Sequence, residues 1–203
     1  RSIPVLMLDE EGKKRVEIAA NNTENMHIYY AARSALGLDN ADEDDDTPLA
    51  NTVPAAEALA ATEKYLKFNT TRGVIVVDLL TEAPYVSHNF VSLAEAGGFN
   101  NMLFHRVIGN FVAQAGERTD TQFKNWPMIR EEWSPNVSHE IGTIGVATRG
   151  KDTGTLQFFF NIEHNRRLDG RYSVFARVVD GLDVMMALEM GDVIESVEVL
   201  DSL

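Results

Sequence analysis

Cysteine is absent from the 203-residue sequence. Disulfide bonds, thiolate catalysis and cysteine metal sites are therefore excluded, while the cellular compartment is left open. Long apolar runs are missing as well, because a stretch such as GVIVVDLL, at 73–80, is far shorter than the roughly 20 residues that a membrane-spanning helix needs. We therefore expect no membrane span.

Positive charge is scarce, since 18 Lys and Arg residues face 31 Asp and Glu residues, for a formal net charge of −13. Such a field repels polyanions, so neither nucleic acid nor an anionic membrane surface is an expected partner. A local basic patch is compatible with this negative net charge. The hydrophobic fraction of 44% is ordinary, and the length suits one domain, or one domain with an extension.

Residues 1–66 form the first of two zones and are predicted to be an α-rich N-terminal extension. Two short extended runs should precede a helix at 21–37, and a second helix is predicted at 53–68, with Pro54 in its first turn. Between them lies an acidic run, residues 42–46. A calcium loop is one interpretation, but the glycine and terminal glutamate of an EF-hand are missing, so a solvated loop is favoured.

Residues 67–203 form the second zone, which is richer in strands. A strand pair or one interrupted strand is expected around Gly73, followed by a helix that begins at Pro84 and ends at Gly97-Gly98. Six further strand-like runs follow, with a second helix at 182–190 between the last two. Turns at intervals of about ten residues point to a closed antiparallel barrel capped by two helices.

Familiar catalytic and metal-binding patterns are missing from the sequence. It has no Gly-x-Ser-x-Gly motif, and its histidines lack metal-ligand spacing, so each is expected to be structural or at the surface. The histidines are His27, His88, His105, His139 and His164. The glycine-containing segment RGKDTG, at 149–154, lacks the spacing of a phosphate-binding loop and is predicted to be a turn.

One arginine stands in an apolar stretch, FHRVIGNFVAQAGE at 104–117. The simplest interpretation of Arg106 is a strand-edge residue whose stem packs on its neighbours while its charge reaches water. Neutral amides at Gln114 and Gln157, together with several aromatic residues, favour a different interpretation. An apolar site with one permanent cation suits rotation about an Xaa-Pro bond, which needs no proton transfer and no cofactor. A fixed N–H donor can bind the nitrogen of the twisted amide selectively.

Three segments resemble those of the cyclophilin family. FHRVIGNFVAQAGE is similar to the signature Phe-His-Arg-Val-Ile-Pro-x-Phe-x-x-Gln-Gly-Gly-Asp, and the segments at 142–162 and 167–185 resemble the family's next two motifs in the same order. The resemblance covers two thirds of the chain, residues 67–203. It implies an eight-stranded antiparallel barrel with two capping helices, and peptidyl-prolyl cis-trans isomerase activity on proline-containing segments of client proteins, without a cofactor.

The resemblance also implies roles for individual residues. Arg106 becomes the donor to the prolyl nitrogen, Gln114 orients the substrate carbonyl, and Phe111 completes the catalytic set. The proline pocket would be formed by Phe111, Val112, Phe159, Leu168 and Tyr172. The groove for the peptide backbone before the proline would be lined by Ala147, Thr148 and Gln157.

Several positions depart from the family pattern. Gly109-Asn110 replaces Pro-Gly, Ala115 replaces a glycine, and Leu156 replaces a small residue. Tyr172 stands where many members have histidine. Arg167 occupies the tryptophan position of cyclosporin-sensitive members, so cyclosporin binding is expected to be weak. Simple strand alternation would also place Phe111 and Gln114 on opposite faces, unless a break or bulge re-aims one of them.

Two alternatives to the isomerase remain open from the sequence. One is a non-catalytic cyclophilin-like module that binds proline-containing peptides as a scaffold, and the other is an unrelated barrel that binds a small anion through Arg106. The C-terminal segment is similar to cyclophilin domains of bacterial envelope proteins. An envelope or periplasmic location is therefore slightly favoured over the cytoplasm, and the extension is expected to be a packing element rather than a client-binding module.

Overall fold

A computed structural model describes residues 53–117, 123 and 126–203. The two N-terminal extended runs, the helix at 21–37 and the acidic run at 42–46 lie outside the described residues, so the expectations for them stay predictions.

Three α-helices occur in the described part of the chain: α1 (Ala55–Ala61), α2 (Pro84–Glu95) and α3 (Leu182–Met186). Proline in the first turn begins α2 as predicted, and Gly97 follows its end at a φ of 72°. None of the described helices has the length and apolar character to cross a membrane.

The predicted helix at 53–68 is too long. It ends at Ala61, and a strand begins at Tyr65. In this strand Leu66, Phe68 and Thr70 are buried, and the residues between them are only partly so. Alternating burial is typical of a strand, in which successive side chains point to opposite faces. Pairing with neighbouring strands here outweighs the helical propensity of the preceding residues.

Within the described residues, nine antiparallel strands form one sheet. They are β1 (Tyr65–Thr70), β2 (Gly73–Leu79), β3 (Met102–Leu103), β4 (Arg106–Ile108), β5 (Val112–Ala115), β6 (Thr143–Val146), β7 (Phe158–Asn161), β8 (Val174–Asp180) and β9 (Val193–Leu200). Their order is β3-β9-β1-β2-β8-β6-β7-β5-β4. The predicted mainly β fold class is confirmed. The count exceeds the expected eight because the run MLFHRVI forms two strands, β3 and β4.

The sheet is closed by the chain itself. Strands β3 and β4 stand at opposite ends of the strand order, yet only Phe104 and His105 separate them in sequence. Four consecutive residues span at most about 11 Å, so the sheet must curve until its two ends are neighbours. No ladder pairs β3 with β4 among the described residues. The barrel therefore closes there through a peptide link.

Phenylalanine rings fill the interior of the barrel. Phe90 of α2 stacks on Phe175 of β8, with 4.1 Å between ring centroids, and meets Phe158 of β7 edge to face at 5.8 Å. All three side chains are fully buried. Aromatic pairs in these geometries add to the stabilisation that burial of their area provides. Phe90 thus anchors the main helix to the sheet.

We predict that Phe90→Ala lowers the free energy of unfolding by about 3–5 kcal/mol, because it removes a ring that contacts two strands and leaves a cavity. Urea unfolding followed by fluorescence measures the loss. Val179→Ala, at a residue that is 46% exposed, is the matched control, with an expected change of about 0.5 kcal/mol. Equal losses in the two variants would contradict the assigned role of Phe90.

Candidate active site

The strand register places Arg106 in a row of residues on the outer face of the barrel. Arg106 lies opposite Gln114, Gln114 lies opposite Phe159, and Phe159 lies opposite Gly145, across β4, β5, β7 and β6. The neighbours of these residues along each strand, including Ala113 and Phe160, belong to the interior core. Side chains alternate along a strand, so the row faces outward.

Hydrogen bonds connect the polar members of this surface. Arg106 donates from Nη1 to Oε1 of Gln114 at 3.0 Å, and Gln114 donates from Nε2 to Oε1 of Gln157, also at 3.0 Å. Gln114 both accepts and donates, so these two hydrogen bonds fix the orientation of its amide. It also holds the guanidinium, which is only partly buried.

Phe111 lies in the turn between β4 and β5 and not within a strand. The turn is closed by a hydrogen bond from the Phe111 N–H to the Ile108 carbonyl oxygen at 3.1 Å, and Asn110 adopts a φ of 59°. Asparagine tolerates this left-handed conformation better than most residues, so Gly109-Asn110 supports the turn that Pro-Gly forms in the family. The Phe111 ring centroid lies 5.6 Å from the Arg106 guanidinium carbon. Strand alternation therefore does not separate Phe111 from Gln114.

Aromatic rings form one wall beside the row. The Phe159 and Tyr172 rings meet edge to face at 6.0 Å, and His139 stacks on Phe159 at 5.6 Å. Gly145 leaves the space for this stack, since a Cβ there would come within 2.5 Å of the Phe159 ring and 2.9 Å of His139. The rings thus lie directly against the strand backbone.

The remaining predicted site residues join the same surface. Val112 is opposite Ile108 and Asn161 in the ladder, and the Ala147 N–H donates to the Gln157 carbonyl oxygen at 2.9 Å. The Tyr172 N–H donates to the carbonyl oxygen of Leu168 at 3.3 Å. Thr148 follows Ala147 and donates its hydroxyl to Oε1 of Glu131 at 3.4 Å. The ten predicted positions therefore occupy one continuous region.

A buried polar network beneath this region was missed by the sequence analysis. Asn165 donates to the Phe111 carbonyl oxygen at 2.8 Å and to Oδ1 of Asn161 at 2.9 Å. Nδ2 of Asn161 lies 3.1 Å from Nδ1 of His139, and Nε2 of His139 lies 3.3 Å from the Tyr172 carbonyl oxygen. All three side chains are almost fully buried. The only signal in the sequence was a pair of asparagines four residues apart, the first of which ends the buried strand β7.

Arg167 also contacts the Phe111 ring. Its guanidinium carbon is 4.5 Å from the Phe111 ring centroid, a cation–π distance, and the residue is exposed. Two arginines, Arg106 and Arg167, thus contact the same ring.

Two titratable groups are buried behind Arg106. Nε2 of His105 lies 4.0 Å from Oε2 of Glu117. Burial, aided by the charge of Arg106, lowers the pKa of His105 to about 4. Burial raises the pKa of Glu117 to about 7, against a smaller lowering by Arg149. Both groups are therefore held toward their neutral forms.

The departure at Ala115 also fits the structure. Ala115 is fully buried in the core, so a methyl group is accommodated where the family has glycine. The next residue, Gly116, adopts a φ of 100°, and a Cβ there would come within 2.3 Å of the Leu156 carbonyl oxygen. Of the two glycine positions, only the second requires glycine here.

The described residues contain no group of three His, Cys, Asp or Glu side chains that could hold a metal ion.

Comparison with known proteins agrees with this geometry. The family model for cyclophilin type peptidyl-prolyl cis-trans isomerase/CLD matches residues 65–202. A peptidyl-prolyl cis-trans isomerase of Helicobacter pylori is 39% identical over 152 residues, which cover 72% of this chain and 93% of the relative. Peptidyl-prolyl cis-trans isomerase-like 2 of Rhizopus delemar is 37% identical over 134 residues, but the match covers only 25% of that longer protein.

Solved structures share the fold. A cyclophilin type peptidyl-prolyl cis-trans isomerase from Cryptosporidium parvum superposes with a TM-score of 0.62 at 20% identity, covering 69% of this chain and 99% of that chain. Cyclophilin AquaCyp293 from Hirschia baltica gives a TM-score of 0.55 at 21% identity, covering 72% of this chain and 80% of that chain. The barrel, the matched segment and the Helicobacter relative lead to one conclusion: the chain belongs to the cyclophilin-type peptidyl-prolyl cis-trans isomerases, as its motifs predict.

Proposed function

We propose that this protein accelerates rotation about Xaa-Pro bonds in client proteins, with Arg106 as the catalytic donor. The observation that carries the assignment is the position of the Arg106 guanidinium. Its Nη1 donates to Oε1 of Gln114 at 3.0 Å, and its carbon lies 5.6 Å from the Phe111 ring centroid. Peptide binding alone does not require a fixed cation at this point. The fixed guanidinium of Arg106 therefore favours the enzyme over a peptide-binding scaffold.

The electronic structure of the amide explains the role of Arg106. The barrier to rotation, about 18–20 kcal/mol, arises because the nitrogen lone pair is shared with the carbonyl group. In the twisted amide this lone pair returns to the nitrogen, which then accepts a hydrogen bond. A guanidinium has five N–H donors and keeps its charge, so one donor can bind Gln114 while another meets the nitrogen. An interaction made only in the twisted state raises the rate.

The surrounding residues would position the substrate. Phe111 and the aromatic wall of Phe159 and Tyr172 offer an apolar surface for the proline ring, which Val112 and Leu168 complete. We assign the substrate carbonyl to Gln114 and the backbone before the proline to Ala147, Thr148 and Gln157. A dipeptide of Ala-Pro was present in one crystal structure of the Cryptosporidium parvum relative. Clients with exposed proline segments are the substrates we expect here, in line with a role in protein folding.

We propose that the isomerase activity resides in residues 67–203 and that residues 1–66 are an extension. Strand β1, which begins at Tyr65, is paired on both sides by β2 and β9. The start of the catalytic domain therefore includes the last two residues of that extension as well.

The neutral pair behind Arg106 makes stability depend on pH. Glu117 has a raised pKa in the folded protein, so its contribution is fully present below its ordinary value of 4.5 and is lost as pH rises through about 7. His105 has a lowered pKa, so its contribution is present above 6.5 and is lost as pH falls through about 4. The two trends oppose each other between pH 4.5 and 6.5.

We predict that Arg106→Ala slows isomerisation by at least about 100-fold, the loss typical of removing one donor to the transition state. Exchange NMR on an Ala-Pro peptide measures the rate at equal enzyme concentrations. Arg177→Ala removes an exposed guanidinium on β8 and should leave the rate unchanged. A wild-type protein that shifts peptide resonances without speeding exchange would instead be a binding module.

We predict a dissociation constant for cyclosporin above about 1 μM. Arg167 occupies the rim of the site against Phe111, and covering its guanidinium with an apolar cyclic peptide carries a desolvation cost. Isothermal titration calorimetry tests this expectation, and Arg167→Trp should tighten binding at least about tenfold. Submicromolar binding by the wild type would overturn the assignment.

We expect Glu117→Gln to become more stable relative to the wild type as pH rises from 4.5 to 8, by up to about 3 kcal/mol. The reason is that the variant has no carboxylate to ionise in a buried site. Urea unfolding at a series of pH values measures the difference. Glu95→Gln removes an exposed carboxylate and serves as the control. A difference that shrinks as pH rises would contradict the prediction.

A further inference from the structure

An open cleft of about 500 Å³ lies beside the aromatic wall. We call it the basic cleft, because three of its lining residues are cationic. It is lined chiefly by Glu131, Thr148, Arg149, Lys151, Arg171 and Tyr172. The segment RGKDTG, which the sequence predicts to be a turn, supplies two of these cations. The proposed chemistry of rotation does not use them.

The charge of the cleft is opposite to that of the protein. Arg149, Lys151 and Arg171 are exposed and cationic, whereas the chain as a whole carries −13. Glu131 is the acidic residue in the lining, and burial is the main cause that raises its pKa. Asp152 lies behind it and accepts a hydrogen bond from the Glu131 N–H at 3.0 Å. The lining residues alone comprise three cations and one carboxylate, which is a local positive excess.

Fixed contacts hold the acidic groups in place. Glu131 accepts a hydrogen bond from the Thr148 hydroxyl at 3.4 Å, and Asp152 is held by the Glu131 backbone. Arg149 also interacts electrostatically with Glu117, whose pKa it lowers slightly against the effect of burial. Lys151 and Arg171 are exposed and therefore accessible to an incoming ligand.

The basic cleft is continuous with the predicted proline pocket. Tyr172 lines the cleft and also meets the Phe159 ring edge to face at 6.0 Å. Thr148 lines the cleft and directly follows Ala147, which pairs with the backbone of Gln157. An extended peptide advances about 3.3–3.6 Å per residue. A side chain one or two residues from a bound proline therefore reaches the cleft.

We propose that the basic cleft binds the carboxylate of an Asp or Glu side chain within two residues of the substrate proline, so that acidic client segments are preferred. This inference rests on the proposed isomerase function. A cleft with a positive excess in an acidic protein offers the complementary field for such a side chain and repels a basic one. Lys151 and Arg171 are specificity-determining residues in this proposal and take no part in the rotation itself.

Peptides that differ in one residue test the preference. Glu, Gln or Lys is placed in turn at each of the two positions on either side of a single proline, and kcat/KM is measured by exchange NMR. We expect Glu to exceed Gln by about fivefold at one position or more in low salt, and Lys to fall below Gln. The preference should shrink in 0.5 M salt, because the cations are at the surface.

Charge reversal locates the preference in the cleft. Lys151→Glu and Arg171→Glu should each abolish or reverse the Glu-over-Gln ratio, while kcat/KM for the Gln peptides stays within about twofold. Arg177→Glu makes the same change in net charge at an exposed site on β8 and should keep the wild-type ratio. Two variants in separate positions guard against a folding defect in one of them.

Each outcome has a distinct meaning. Equal rates for Glu and Gln peptides at all four positions would overturn the acidic preference and leave the isomerase intact. A preference that survives both cleft variants would place its origin elsewhere, and would also overturn the proposal. No exchange with any peptide would overturn the proposed function and, with it, this inference.

Discussion

The register of the β4–β5 hairpin determines where the functional groups stand. It places Arg106 directly opposite Gln114, so that a single hydrogen bond of 3.0 Å joins guanidinium and amide. The three-residue turn that sets this register contains Phe111, with Asn110 in the left-handed conformation. A slip of one residue would turn Arg106 toward the core. The donor, its orienting amide and its aromatic neighbour are thus products of one turn.

The buried network of Asn165, Asn161 and His139 gives this hairpin a rigid base. It runs from the carbonyl oxygen of Phe111 to that of Tyr172, and so connects the two sides of the predicted proline pocket. A buried polar group without a hydrogen-bond partner lowers the stability of the fold. Removal of one member of the network would therefore leave the other members without partners. The network therefore makes the spacing between Phe111 and the aromatic wall a fixed property of the fold.

Local patterns predicted much of this structure. The helix that begins at Pro84 and the mainly β barrel followed from capping signals and strand alternation. The family motifs named Arg106, Gln114 and Gln157, which hydrogen bonds join in the structure, and the roles assigned to them stay predictions. The sequence pattern extends the helix through 65–68, because one of the two strands that pair with this segment, β9, lies more than 100 residues away. The basic cleft was hidden for a similar reason, since Glu131, Arg149 and Arg171 are brought together only by tertiary structure.

Gly145 has a consequence for how this site varies among relatives. Its missing side chain is what allows the Phe159 ring to lie close against β6, with His139 stacked on it. A methyl group at this position would push the ring outward, and the floor of the pocket would rise. Pocket depth is therefore set by a backbone position on β6, and residues 145, 159 and 139 should covary as a triplet in evolution.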